Sequence, residues 1–465
     1  MKKLINILFV ASIFAVSCTE AIEIDKINED DYSNVTNLVG ALRDASTGKA
    51  STIVEMFQDT YSTSVAFTLA RTPKAGVDVK VEYDAAYVKQ YNAEHGTDFA
   101  VLPEDCFTLQ NCGKIVIAPD EKVSHSLNLK IDKSGTNLSE DTTYLLPFKT
   151  TVSGGNVKVS EDRCVYLVKN REGEGSAMRK PGEKETFLYF EVNDTNPLNA
   201  LQFRMEDGRY LWNYVCLFAA NINYNKETGE IYVFCNPQVQ YILDHNEEIL
   251  QPLRKRGIKV ILGLLGNHDD SGLAQLSDIG ARDFAAKLKA ICDAYNLDGV
   301  NFDDEYSGAP DLSNPLFTSH SVDAGSRLMF ETKKAMPDKY VTTFQYSYME
   351  GSDYVDGVAA GEWLDIAIAN YGGKGRPKAG MTYANCTYDS VEMARYGSIS
   401  LADAGACKNS EYGYFMVFAL WAANNQGSHS QFSSMNNLAE GLYGSRLVTP
   451  EYYWPDPKSL ETRPY

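Results

Sequence analysis

Two hydropathy rhythms divide the chain. From about Ser33 to Lys169, short runs alternate apolar with polar residues. They cover 63–69, 77–83, 114–117, 126–131, 143–150 and 164–168, with Gly, Pro, Asn or Asp between them. Alternation at period two marks half-buried strands, and several at this spacing predict a β-sandwich. One helix-like insert, 85–95, interrupts it. Residues 170–185, dominated by charge, Gly and Pro, predict an exposed linker. After it the rhythm becomes strand then helix. Strands are expected at 187–193, 214–221, 258–265, 297–306, 340–346, 365–371, near 380–384 and at 414–421. Residues 239–256 carry a helical stripe of Ile242, Leu243, Ile249, Leu250 and Leu253, and 280–296 another of Phe284, Leu288, Ile291 and Tyr295. Eight strands, most followed by a helix, predict a (β/α)₈ TIM barrel over 186–465 behind an all-β domain over 19–169. The total of 465 residues exceeds what one core usually holds.

One strand breaks the apolar rule. Leu297-Asp298-Gly299-Val300-Asn301-Phe302-Asp303-Asp304-Glu305-Tyr306 has too many polar residues for a core. Alternation puts Asn301, Asp303 and Glu305 on one face and Val300 and Phe302 on the other. Carboxylates two residues apart lie roughly 6–7 Å apart at the Cα, so like charge pushes one pKa upward. A carboxyl kept protonated near neutrality is what a glycosidase needs to protonate a leaving oxygen. Glu305 is the expected acid/base. Asp298, off the alternating face, is expected to be structural.

The same residues fit D-G-x-[DN]-x-D-x-E and resemble glycoside hydrolase family 18, most closely its endoglycosidase H/F-like branch. FLYFEVN at 187–193, FAANINYN at 218–225, KVILGLLGNHDDSG at 259–272, AMPDKYV at 335–341 and LYGSRLVTP at 442–450 resemble that branch in the same order. The resemblance implies an endo-β-N-acetylglucosaminidase that cuts the GlcNAc-β1,4-GlcNAc core of N-glycans on glycoproteins. It also implies a retaining mechanism in which the substrate's 2-acetamido oxygen attacks the anomeric carbon. Asp303 would then accept the acetamido N–H and balance the oxazolinium charge. Tyr371, ending the sixth strand, resembles the tyrosine that bonds the acetamido carbonyl. Asn301, Gln345, Asn267, His268, Trp421 and Glu191 sit at strand ends and are the other expected substrate contacts. A chitinase would share this machinery. A glycan-binding protein on a dead barrel typically lacks the acid, whereas Glu305 and Asp303 are both present. The segment YNAEHGTDF…LPED resembles the N-terminal domain carried by Bacteroidetes surface glycosidases.

Charge and termini narrow the partners. A net charge of −19 excludes the basic face that a nucleic-acid partner requires. Lys2 and Lys3 lead an apolar run to Val16, and Ser17-Cys18 resembles a bacterial lipobox. Residues 1–18 therefore read as a lipoprotein signal, with Cys18 lipidated and the protein anchored to the outer membrane, exposed at the cell surface. The acidic segment after it reads as a tether. No cysteine spacing matches a zinc site, so no metal or cofactor is expected, and a monomer is expected.

Overall fold

The computed structural model describes residues 38–394, 397–420, 430–450 and 454–460. The lipobox cysteine, Cys18, and Trp421 lie outside the described residues.

Residues 38–170 form two packed sheets, one of five strands and one of six. Their inner faces share one core, in which Phe67, Leu129, Phe148 and Tyr166 are fully buried. Period-two patterning does the work expected of it: Leu38–Asp44 alternates buried and half-buried along its length. The helix Tyr87–His95 lays Val88 and Tyr91 on the outer face of the six-stranded sheet, against Leu145, Val165 and Leu167. Gly96 ends it in the left-handed conformation, φ 63°.

The remaining strands close a barrel. In order they are Glu185–Glu191, Tyr214–Asn225, Lys259–Leu265, Gly299–Phe302, Tyr340–Gln345, Ile366–Ala369, Thr387–Glu392 and Tyr414–Phe418. Neighbouring strands run parallel from the sixth round through the first to the eighth and seventh. Between sixth and seventh the ring is closed by one isolated bridge, Ala367 to Cys386. Phe187 and Tyr189 point inward with Ile261, Phe344 and Met416. Leu188, Val215, Val300 and Val341 point outward into the helix layer. Being buried on both faces is what makes these strands continuous apolar runs.

Four expectations need correction. The seventh strand is Thr387–Glu392, not 380–384, where the chain makes a 3₁₀ turn, Tyr383–Asn385. Its buried positions include Thr387 and Ser390, so hydropathy does not reveal it. The single helix over 239–256 is three: Pro237–Asp244, Asn246–Ile249 and Gln251–Lys255. Pro252, lacking an N–H, opens the last of them. The acidic strand ends at Phe302, and the residues from Asp303 to Tyr306 climb out of the sheet.

The stretch 170–185 is no loose linker. Ala177 is fully buried in the barrel core, and Arg179 lies over the Tyr443 ring, 4.2 Å from its centroid. Arg171 bridges Glu55 of the sandwich (2.8 Å) and Asp298 of the barrel (3.0 Å). Around that bridge the two domains share a seam of charges. Arg254 pairs with Asp298 (3.1 Å), Lys169 with Asp338 (3.0 Å), and Lys49 and Lys333 both with Asp365 (2.8 and 2.9 Å). Burial by itself would raise these carboxyls, but the cations prevail. Arg254 and Arg171 hold Asp298 well below the usual range, as Lys169 and Lys339 hold Asp338 and as Lys333 and Lys49 hold Asp365. Asp298 also accepts the Val260 N–H at 2.9 Å, which is the structural role its position predicts.

Candidate active site

The fourth strand delivers two carboxyls to the barrel mouth. Asp303 continues the ladder by one bond, its N–H donating to Leu264 O at 3.0 Å, and its side chain is buried. Glu305, two residues further, is half-buried and has no hydrogen-bond partner among the described residues. Close backbone approach makes this possible: a Cβ on Gly266 would sit 2.1 Å from Glu305 O, so only glycine fits there. Gly299 serves the strand's other end, where a Cβ would meet Tyr340 O at 2.2 Å.

Electrostatics single out Asp303. Burial pushes its carboxyl well up, and the charges of Glu305 and Asp304 add to the push. The like-charge effect expected of the motif therefore appears on Asp303, beside the half-exposed Glu305. Tyr371 borders the same space. Its hydroxyl is pushed up by burial, then by Glu392, Asp303, Glu305 and Glu191, and its ring meets Phe344 (5.4 Å) and Phe418 (5.6 Å). Glu191, at the end of the first strand, is half-buried and raised by burial and by Asp194 and Glu392. Asn267 donates its amide to Asn223 Oδ1 at 2.9 Å, and exposed His268 rests against the Tyr306 ring at 4.8 Å.

Two expected contacts lie elsewhere. Asn301 is wholly buried beneath Asp303, donating to Thr342 Oγ1 at 2.9 Å, so it floors the site and does not touch the cleft. Strand alternation gives its face but not its depth. Gln345 does point inward, yet its amide donates to Arg376 O (2.9 Å) and Glu350 O (3.3 Å) and accepts from Arg376 N (2.8 Å). It holds loops together. A group that sequence reasoning passed over is Asp304, which accepts from Leu273 N, Ser307 Oγ and His320 Nε2 at 3.0, 2.7 and 2.5 Å. No spacing rule joins it to a histidine sixteen residues on.

Residues 32–157 match a family model described as an N-terminal domain. The chain is 42% identical over 275 residues to endo-β-N-acetylglucosaminidase F1 of Elizabethkingia meningoseptica, covering 56% of this chain and 79% of that protein. The chain belongs to the endo-β-N-acetylglucosaminidases. Its likeness extends through both domains to EndoBT-3987 of Bacteroides thetaiotamicron in complex with Man5GlcNAc product. That structure has a TM-score of 0.84 at 46% identity, over 90% of this chain and 98% of that one. With Man9GlcNAc2Asn substrate bound, the same protein matches at a TM-score of 0.76 and 44% identity, over the same shares. The carboxyl pair of Asp303 and Glu305 lies at one mouth of the barrel. A cavity of about 660 Å³, lined by Tyr214, Tyr340 and Tyr414, opens at the other end, beside the sandwich.

Proposed function

We propose that this protein hydrolyses the GlcNAc-β1,4-GlcNAc bond of the N-glycan core, leaving one GlcNAc on the protein. The observation that carries the reading is the pairing of half-exposed Glu305 with buried Asp303, whose proton affinity is raised by burial and by its acidic neighbours, beside Tyr371. The Man9GlcNAc2Asn and Man5GlcNAc ligands of EndoBT-3987 supply the substrate class.

The proposed mechanism is that of family 18. When substrate seats, the proton held by Asp303 passes to Glu305, and Asp303 as carboxylate accepts the acetamido N–H. Glu305 protonates the leaving oxygen as the acetamido oxygen bonds to the anomeric carbon and the glycosidic C–O bond breaks. The resulting oxazolinium is stabilised by the Asp303 charge and by Tyr371 at the acetamido carbonyl. Glu305 then takes a proton from water, which attacks the same carbon and restores the β configuration. Mass spectrometry of a defined N-glycopeptide tests the reading. A peptide retaining one GlcNAc is expected. Release of an intact glycan, or cleavage of chitooligosaccharides alone, overturns it.

We also propose that Cys18 is lipidated and holds the enzyme at the outer-membrane surface. The Lys-led apolar run that ends at Cys18 supports this. Cys18→Ala is expected to move the protein out of the membrane fraction, and an unchanged membrane fraction overturns the anchor.

A further inference from the structure

We infer that His320 is a positioning residue for proton delivery, acting through Asp304 on Glu305; the inference rests on reading Glu305 as the acid. Asp304 has a side chain with no exposure, next in sequence to two other carboxyls. A buried carboxylate in such company must be saturated with donors, or it turns outward toward water. Its three donors come from three separate segments. Leu273 N–H belongs to the loop after the third strand, Ser307 follows Glu305, and His320 precedes the helix Val322–Ala335. His320 is the basic one among them, and its contact is the shortest. It is itself held, its ring tilted 43° against that of Tyr348 with centroids 4.0 Å apart, and Tyr348 stands 41% exposed at the rim beyond the fifth strand.

The clamp fixes the backbone on either side of the acid. Asp303 N–H is tied to Leu264 O (3.0 Å), and Tyr306 O accepts the His268 N–H (2.8 Å). Tyr306 holds φ 60°, a left-handed conformation costly for a ring-bearing residue and kept only where its surroundings impose it. Asp304, lying between these ties, sets the peptide from which the Glu305 side chain departs. Removing the histidine donor leaves Asp304 short of one partner while Asp303 and Glu305 still repel it. The 303–307 segment then turns to hydrate Asp304 and carries Glu305 off line. Nothing in this touches the sugar directly, so the loss should fall on proton transfer and spare binding.

His320→Phe keeps the ring over Tyr348 and removes the donor, whereas His320→Gln keeps an N–H near the Nε2 position. Both should be measured beside the wild type on two substrates. One is a Man5 N-glycopeptide, whose GlcNAc leaving group needs a proton. The other is the same Man5GlcNAc glycan on 4-nitrophenol, a leaving group that departs with little help. The expected result for His320→Phe is kcat on the glycopeptide down about thirtyfold, with KM within about threefold and the nitrophenyl rate within about threefold. His320→Gln should recover most of the loss. Equal losses on both substrates, or no loss on either, would overturn the positioning role. If His320→Phe does not fold, Asp304→Asn carries the same comparison, with the same two outcomes deciding. A wild type that cleaves neither substrate would sink the reading of function and this inference with it. A wild type that cleaves both while the variants keep full activity would sink this inference alone.

Discussion

A carboxyl that is buried beside two others gives up its proton late, and Asp303 is such a group. Burial and the charges of Glu305 and Asp304 raise its proton affinity, which is why the proposed mechanism starts the leaving sugar's proton there. Glu305→Gln removes the transferable proton at nearly constant shape, so kcat on a natural glycopeptide should fall at least about 100-fold with the fold intact by circular dichroism. Asp303→Asn replaces the group that balances the oxazolinium with a neutral amide, so kcat for hydrolysis of a natural glycopeptide should fall at least about 100-fold. Transfer of a preformed sugar oxazoline to a GlcNAc acceptor should survive that change better than hydrolysis does. The carboxyl pair was legible in the sequence because strand alternation places acids two apart on one face. Asn301 was not placed correctly, since the same rule is blind to depth, and Gln345 faces inward as expected but spends its amide on Arg376 and Glu350.

Between elements, the site depends on how closely two strand ends approach. Gly266, past the third strand, has Glu305 O where its Cβ would be. Gly266→Ala should therefore push the acid-bearing segment outward and cut kcat by more than about tenfold, while the melting temperature falls by only a few degrees. Wild-type kcat in that variant would show that the loop tolerates displacement. Elements buried on both faces, such as FLYFEVN and IKVILGLL, announced themselves as apolar runs. The seventh strand did not, because its inward positions Thr387 and Ser390 are polar, and the sequence pattern settled on a turn some seven residues early. The stripe over 239–256 was a true core-facing surface, yet hydropathy cannot see that Pro252 and the turn at His245 divide it.

For the whole molecule, the domain junction is where the sequence was most misleading. Arg171 falls in the stretch whose composition predicts an exposed linker, and a single sequence cannot distinguish an exposed charge from one buried against a distant partner. Lys169 and Asp338 have side chains 6% and 10% exposed. Asp338→Ala strands the lysine without its counter-charge and should lower unfolding free energy by about 3 kcal/mol in denaturant titration. Asp298, Asp338 and Asp365 bind protons less readily folded than unfolded. Their contribution is thus complete above the unfolded value of about 4 and is lost as pH falls through the lower folded values. A chain shortened to begin at Gly182 loses Lys49, Lys169, Arg171 and buried Ala177 together. It should melt well below the full-length protein.

A hoop opens where its staves are riveted most sparsely. The sixth and seventh strands share one bridge, with the Ala369 N–H bonded instead to the Thr387 hydroxyl at 2.8 Å, and past the sixth strand Gly372 and Gly375 donate to Ser390 O (2.9 Å) and Thr387 O (2.8 Å). In deuterium exchange, amides of Ile366–Ala369 and Thr387–Glu392 should therefore trade their protons sooner than those of the third and fourth strands. Tyr371 rides on the tip of that loose stave, facing Glu305 across the mouth. A glycan gripped by both would act as a further rivet, and bound product should slow exchange on the sixth and seventh strands.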